Sequence, residues 1–201
     1  MSRLITPKQI HSDRVLVVPS GAPAGPSARL GEGDALVSEQ TEPLIGIRTA
    51  DCLPVLLVDA RTRHVGAIHA GWRGTVSEIS AKAVESMVRQ FGSQPEDIWA
   101  AIGPGIGFCC FEVGPDVAFR FQPLFPERVD LDHRTRIDLA ESNRRQLEHA
   151  GVPNSHIEVS GLCTVCRADE FHSFRRDKEK AGRMLSAIGL LPAPAHKRRE
   201  P

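Results

Sequence analysis

Through the first half of the chain, short apolar runs alternate with polar turns, the pattern of half-buried strands. Residues 14–18, 34–38, 43–48, 54–58 and 65–68 are predicted as strands on this basis. The period then changes. Val76, Ile79, Ala83, Met87 and Phe91 recur at helical spacing. Thr75, with Glu78 three positions on, reads as a capping box that opens this helix, and Gly92 closes it. A strand is predicted over 97–102, a second helix after Asp138 with Glu141 at its third position and Gly151 at its end, and a late strand over 157–159. Residues 21–33 read as a mobile Gly/Pro/Ala loop and 192–201 as a disordered tail. Strands this short and close predict a mixed or antiparallel sheet. With no internal repeat and no linker, one domain is predicted over 1–191.

Composition narrows the class. Across 201 residues, 25 Lys plus Arg balance 25 Asp plus Glu, so bulk charge gives no reason to expect nucleic acid or a membrane surface as partner. The first residues lack the apolar stretch of a signal peptide, and no apolar run approaches membrane-spanning length. Five cysteines, two of them adjacent at Cys109 and Cys110, fit a disulfide framework poorly and point to a reducing, cytoplasmic compartment. The chain has no tyrosine, which excludes tyrosine-based chemistry.

Cys52 and His69 lie 17 residues apart, one just before the 54–58 strand and the other just after 65–68. A turn over 59–63 would bring the start of one strand beside the end of the other. Cysteine and histidine serve both as soft metal ligands and as a nucleophile–base pair. Asp51 is costly to bury unless paired or given work. His11, ahead of the first strand, is a third candidate. Together, His11, Cys52 and His69 would make a three-ligand zinc site with a fourth position open to water or substrate. The glycine-rich 103–107 turn is either a tight structural turn or an anion cradle of backbone N–H groups. Arg175, Arg176, Lys178, Lys180 and Arg183 are either a solvated face or a grip for phosphate. Cys163-Thr164-Val165-Cys166 resembles half a zinc knuckle, but without a second Cys-x-x-Cys no structural zinc is expected there.

These residues fall in ordered blocks: Gln9-Ile10-His11, Asp34-Ala35-Leu36-Val37, Thr49-Ala50-Asp51-Cys52-Leu53-Pro54 and His69-Ala70-Gly71-Trp72-Arg73-Gly74. Gly103-Pro104-Gly105-Ile106-Gly107, Leu162-Cys163-Thr164, Phe171-His172-Ser173-Phe174-Arg175-Arg176-Asp177 and Gly182-Arg183-Met184 follow. The set resembles the laccase-domain or YfiH-like family, also known as multicopper polyphenol oxidases, peptidoglycan editing factors and purine nucleoside phosphorylases. The resemblance implies a layered α+β (α/β) fold, with mixed β-sheets packed together and helices outside. It implies zinc, with copper as the alternative metal, on His11, Cys52 and His69. It also implies purine nucleosides and phosphate as partners, with phosphate-dependent cleavage of adenosine, inosine, guanosine or methylthioadenosine and adenosine deamination as a side activity. Members usually carry several dozen residues before the first block. This chain starts eight residues before Gln9, so contacts from such a segment are not expected of it, and Ser12 stands where the family has glycine.

Within that reading, Cys52 and Asp51 are the candidate catalytic residues, Asp51 as proton acceptor or hydrogen-bond anchor. Arg73, Gly103, Gly105 and Arg176 are the candidate substrate or phosphate contacts, on a monomer or homodimer. Three rivals stand beside it. A multicopper phenol oxidase would need several histidine-rich copper sites, and the eight histidines include no His-x-His pair. A hydrolase would use Cys52 as nucleophile and His69 as base. A metal-binding protein would show bound zinc and no turnover.

Overall fold

The computed structural model describes residues 4–22 and 28–191, so the tail predicted to be disordered and the middle of the 21–33 loop lie outside the described residues. The strands are β1 (Leu4–Lys8), β2 (Val15–Val17), β3 (Arg29–Glu32), β4 (Ala35–Ser38), β5 (Leu44–Thr49) and β6 (Leu53–Asp59). They continue with β7 (His64–Ala70), β8 (Ile98–Ile102), β9 (Glu112–Val113), β10 (Thr135–Arg136), β11 (Ile157–Val159) and β12 (Met184–Ile188). The helices are α1 (Trp72–Val76), α2 (Ile79–Phe91), α3 (Pro115–Ala118), α4 (Leu139–His149) and α5 (Phe174–Asp177).

Six strands form one mixed sheet in the order β11-β8-β6-β7-β4-β2, and four form a second in the order β12-β5-β1-β3. The two-residue alternation of each strand assigns its faces. Ile68 of β7, Val55 and Leu57 of β6 and Ala35 and Val37 of β4 pack with Ile79, Ala83 and Met87 of α2. Val65 and Ala67 of β7 and Leu36 of β4 pack instead with Ile5, Ile45 and Ile47 of the second sheet. The layers are therefore helices, the six-stranded sheet, and the four-stranded sheet. Strand β7 is covered on both faces, and all seven of its residues are buried. This is the α+β architecture of packed mixed sheets with outer helices.

Two expectations need correction. The helix predicted from Thr75 is two helices, because Glu78 adopts φ +63° and breaks the run between α1 and α2. Thr75 caps nothing. It is buried inside α1, where its hydroxyl accepts from Asn143 Nδ2 at 3.1 Å. The loop predicted over 21–33 contains β3, which runs parallel to β1 and carries only one large apolar residue, Leu30, to signal it. Other local signals hold. Gly92 ends α2 at φ +70°, and the Asp138 carboxylate accepts the Glu141 N–H at 2.9 Å at the start of α4. Among the described residues no helix is long and apolar enough to cross a membrane.

Candidate metal centre

Strands β6 and β7 form an antiparallel hairpin in which Pro54 pairs with His69, so Cys52, just before β6, meets the far end of β7. His69 continues the face of Val65 and Ala67, toward the second sheet. The third residue arrives from β1. Beyond Lys8 the chain turns, and His11 takes φ +60°. The nitrogen atoms of His11 and His69 and the sulfur of Cys52 all lie within 4.8 Å of one another.

What brings the two histidines together is Asp34, at the start of β4 and fully buried. Its carboxylate accepts the N–H groups of Ile10, His11 and Ser12 at 3.2, 3.0 and 2.6 Å, and the Ser12 hydroxyl at 2.8 Å. It also bonds His69 Nδ1 at 2.8 Å, which leaves Nε2 of that ring for Cys52 or a ligand. Asp34 lies in one of the family-like blocks, where nothing in the pattern of the block marks it as a site residue. The available signal was the one applied to Asp51: a carboxylate beside a buried strand must be paired. Ser12, at the position where the family carries glycine, supplies two of these hydrogen bonds.

The charges follow from the packing. Burial pushes the Asp34 carboxyl up, but hydrogen bonds from His69 and Ser12 outweigh it and hold the group at about 2. Burial pulls His69 down, but Asp34 and Cys52 raise it to about 9. Burial pushes the Cys52 thiol up, yet His11 and His69 lower it to about 6. With no metal, the pair is a thiolate beside an imidazolium. With a metal, the same thiolate and the free nitrogens are a soft donor set whose carboxylate orients one imidazole. Room is left for it by Gly71, where a Cβ would stand 3.0 Å from Cys52 Sγ and 3.2 Å from His11 Cδ2. The residues fit a three-ligand zinc ion. Gly71→Ala is expected to weaken metal binding at least about 10-fold while leaving the helical circular dichroism unchanged, because Gly71 sits at φ −76°, which alanine tolerates. A metal titration on the folded variant checks this.

The trio opens on a cavity of about 600 Å³ lined also by Trp72, Phe111 and Phe174 and by Lys8, Arg29, Arg48, Arg175, Lys178 and Arg183. Asp51, at φ +85°, lies on the same wall, but both of its carboxylate oxygens are taken. Oδ1 accepts the Thr164 hydroxyl at 2.7 Å and Oδ2 accepts the Arg175 N–H. Its geometry is that of an anchor and not of a free proton acceptor. Arg175 joins the cavity, but its neighbour Arg176 does not. Arg176 donates to the carbonyls of Thr164, Val165 and Phe171 and to Asp177. Gly103 and Gly105 cradle nothing in the cavity, because their N–H groups go to Pro54 and Leu162 carbonyls. Their missing Cβ atoms instead make way for Pro54 and Leu53, at 2.8 and 2.4 Å. Arg73 stacks on Trp72 at 4.5 Å and lines a separate hollow on the other side of His11. The structure also brings Cys109 and Cys110 beside Cys163 and Cys166, giving that pair partners that its sequence spacing does not show.

The His–Cys–His set stands at the ends of the two central strands of the six-stranded sheet, in a fold that known proteins share. The chain belongs to the family described as multi-copper polyphenol oxidoreductase laccase, whose model matches residues 1–191. It is 46% identical to a protein from Deinococcus radiodurans named purine nucleoside phosphorylase, over 90% of this chain and 68% of the relative. It is 40% identical to adenosine deaminase RL5 from an unknown prokaryotic organism, over 92% of this chain and 74% of the relative. The crystal structure of the Bacillus licheniformis hypothetical protein YfiH superposes with a TM-score of 0.87 at 39% identity, covering 94% of this chain and 74% of that one.

Proposed function

We propose that this chain is a zinc-dependent purine nucleoside phosphorylase, with adenosine deamination as a side activity of the same cavity. The observation that carries the reading is the cavity lining. Six cationic side chains surround a single carboxylate, Asp51, whose oxygens are already hydrogen-bonded, and three aromatic side chains lie beside the His11–Cys52–His69 set. Aromatic faces suit a planar base, and clustered guanidinium and ammonium groups suit phosphate. The names of the relatives agree.

In this reading His11, Cys52 and His69 hold the ion, which when bound supplies a Lewis-acidic charge for holding substrate. Arg48, Arg175, Lys178 and Arg183 gather phosphate. Arg175 and Arg183 lie over Phe111 and Phe174, at 5.7 and 6.0 Å, which keeps both cations and rings in place. Phosphate attacks C1′, the bond from C1′ to the base breaks, and positive charge builds on the ribose beside the bound anion. Asp51 holds the Arg175 backbone and the 162–167 loop at that wall.

The test is chromatography of adenosine and of inosine after incubation with folded, zinc-loaded protein, with and without phosphate. Free base appearing only with phosphate is expected, and unchanged nucleosides would reject the reading. Arg48→Gln is expected to raise the KM for phosphate about 10-fold with little change in kcat, the size of one charge-assisted hydrogen bond. Steady-state kinetics at varied phosphate measures it. One observation favours a second reading: the thiolate–imidazolium pair of Cys52 and His69 is also the arrangement of a cysteine hydrolase. Turnover that survives a chelator and stops on thiol alkylation would select it.

A further inference from the structure

We propose that Cys109, Cys110, Cys163 and Cys166 form a second metal site, a closed tetrathiolate centre that holds zinc and braces one wall of the cavity. All four Sγ atoms lie within 4.8 Å of one another, with Cys166 at 3.6 Å from Cys109 and 3.4 Å from Cys110. Sulfurs about 2.3 Å from a tetrahedral zinc stand about 3.8 Å apart, so a small outward adjustment admits the ion. The same spacings are far beyond the roughly 2.05 Å of a disulfide bond.

The surroundings are shaped for such a group. The turn from Cys163 to Cys166 has the spacing of a zinc knuckle. Gly107 donates its N–H to Cys163 Sγ at 3.3 Å. This donor offsets part of the negative charge that four thiolates leave around a divalent ion. A Cβ on Gly107 would stand 3.3 Å from Cys109 Sγ and 3.4 Å from Cys163 Sγ. Four protein sulfurs leave no open coordination position, which makes the site structural and separates it from the three-ligand site beside the cavity.

Its place in the fold gives it a purpose. Gly105 pairs with Cys163 by an isolated parallel bridge, and Thr164 donates its N–H to the Gly105 carbonyl at 2.9 Å. An ion at the four sulfurs would tie these two loops together at their ends. Phe111, next to Cys110, lines the cavity, and Thr164, next to Cys163, holds Asp51.

Metal analysis of the purified full chain, prepared under reducing and anaerobic conditions, tests the proposal without reference to turnover. Two zinc ions per chain are expected in the wild type and one in Cys52→Ala. A Cys110→Ser/Cys166→Ser double variant should keep one zinc and melt several degrees lower. Should that variant not fold, Cys52→Ala keeps all four cysteines and answers the question alone. Loaded with cobalt, it should show the visible bands and sulfur charge transfer of a four-sulfur tetrahedral centre. Zinc-free Cys52→Ala protein, a cobalt spectrum without sulfur ligands, or a disulfide among the four cysteines in peptide maps would each overturn the proposal.

Discussion

Cys52→Ala protein is expected to fold, to bind no metal at His11 and His69, and to cleave nucleoside at least about 100-fold more slowly than the wild type. That factor is the upper end of what removing a residue merely supporting a ligand costs, so removing a ligand should reach it. Cys52 contributes the only anionic donor of the three. Its thiol is lowered to about 6, although burial opposes this, because His11 and His69 face it. Alanine leaves two imidazoles, one of them tied to Asp34, and no charge to attract a divalent ion. The fold should survive, because Cys52 is only partly buried and precedes β6 instead of packing inside it. Zinc content at this site and phosphorolysis rate, measured on the same sample, should fall together. Activity lost with metal retained would make Cys52 a nucleophile, and full activity without metal would remove the site from the reaction.

Asp34 should be the costliest polar position in the chain. Asp34→Ala leaves the N–H groups of Ile10, His11 and Ser12 and the His69 ring without their acceptor in a fully buried place. Breaking one side of a buried, charged network costs about 3–5 kcal/mol, a large share of a domain's stability. Asp34→Asn keeps the volume but loses the charge and one acceptor, and should weaken metal binding about 10- to 100-fold. The acid limb carries a signature. The Asp34 carboxyl is held at about 2, below its ordinary 3.8, so its contribution is fully present above 3.8 and is lost as pH falls through about 2. The shift corresponds to about 2 kcal/mol. Urea unfolding of the metal-free proteins should therefore show the wild type and Asp34→Asn converging between pH 4 and pH 2. A gap that stays constant over that range would mean that the carboxylate is not what the loop depends on.

The parts of the site that lie on one hairpin were readable from sequence. The 54–58 and 65–68 runs, joined by a polar turn, place Cys52 against His69, and the β6–β7 register does the same. His11 was only a candidate, because its arrival depends on where β1 lies in a different sheet. The substrate contacts were harder to read. Gly103 and Gly105 have the composition of an anion cradle, but the direction of a backbone N–H is set by what packs against the turn, here Leu53 and Pro54. Arg175 and Arg176 are adjacent, yet successive residues of a helix point about 100° apart. One reaches the cavity, and the other is spent on nearby carbonyls. Net charge is silent on such a place, because a balance of 25 against 25 is compatible with six cations around one cavity.

By itself the sequence determined the elements whose patterns are local: the inner strands, the glycine that ends α2, the aspartate that caps α4, and the strand-end cysteine and histidine. Periodicity, capping and turn chemistry act over a few residues, so they are written in the order of the chain. Only the tertiary structure decided what converges. Asp34 binds residues more than 20 positions away, Asp51 is held by Thr164 across 113, and Cys109 and Cys110 meet Cys163 and Cys166 across more than 50. Those encounters depend on the order of strands in two sheets and on which faces are buried between them. They are properties of the whole packing, with no local spacing to announce them.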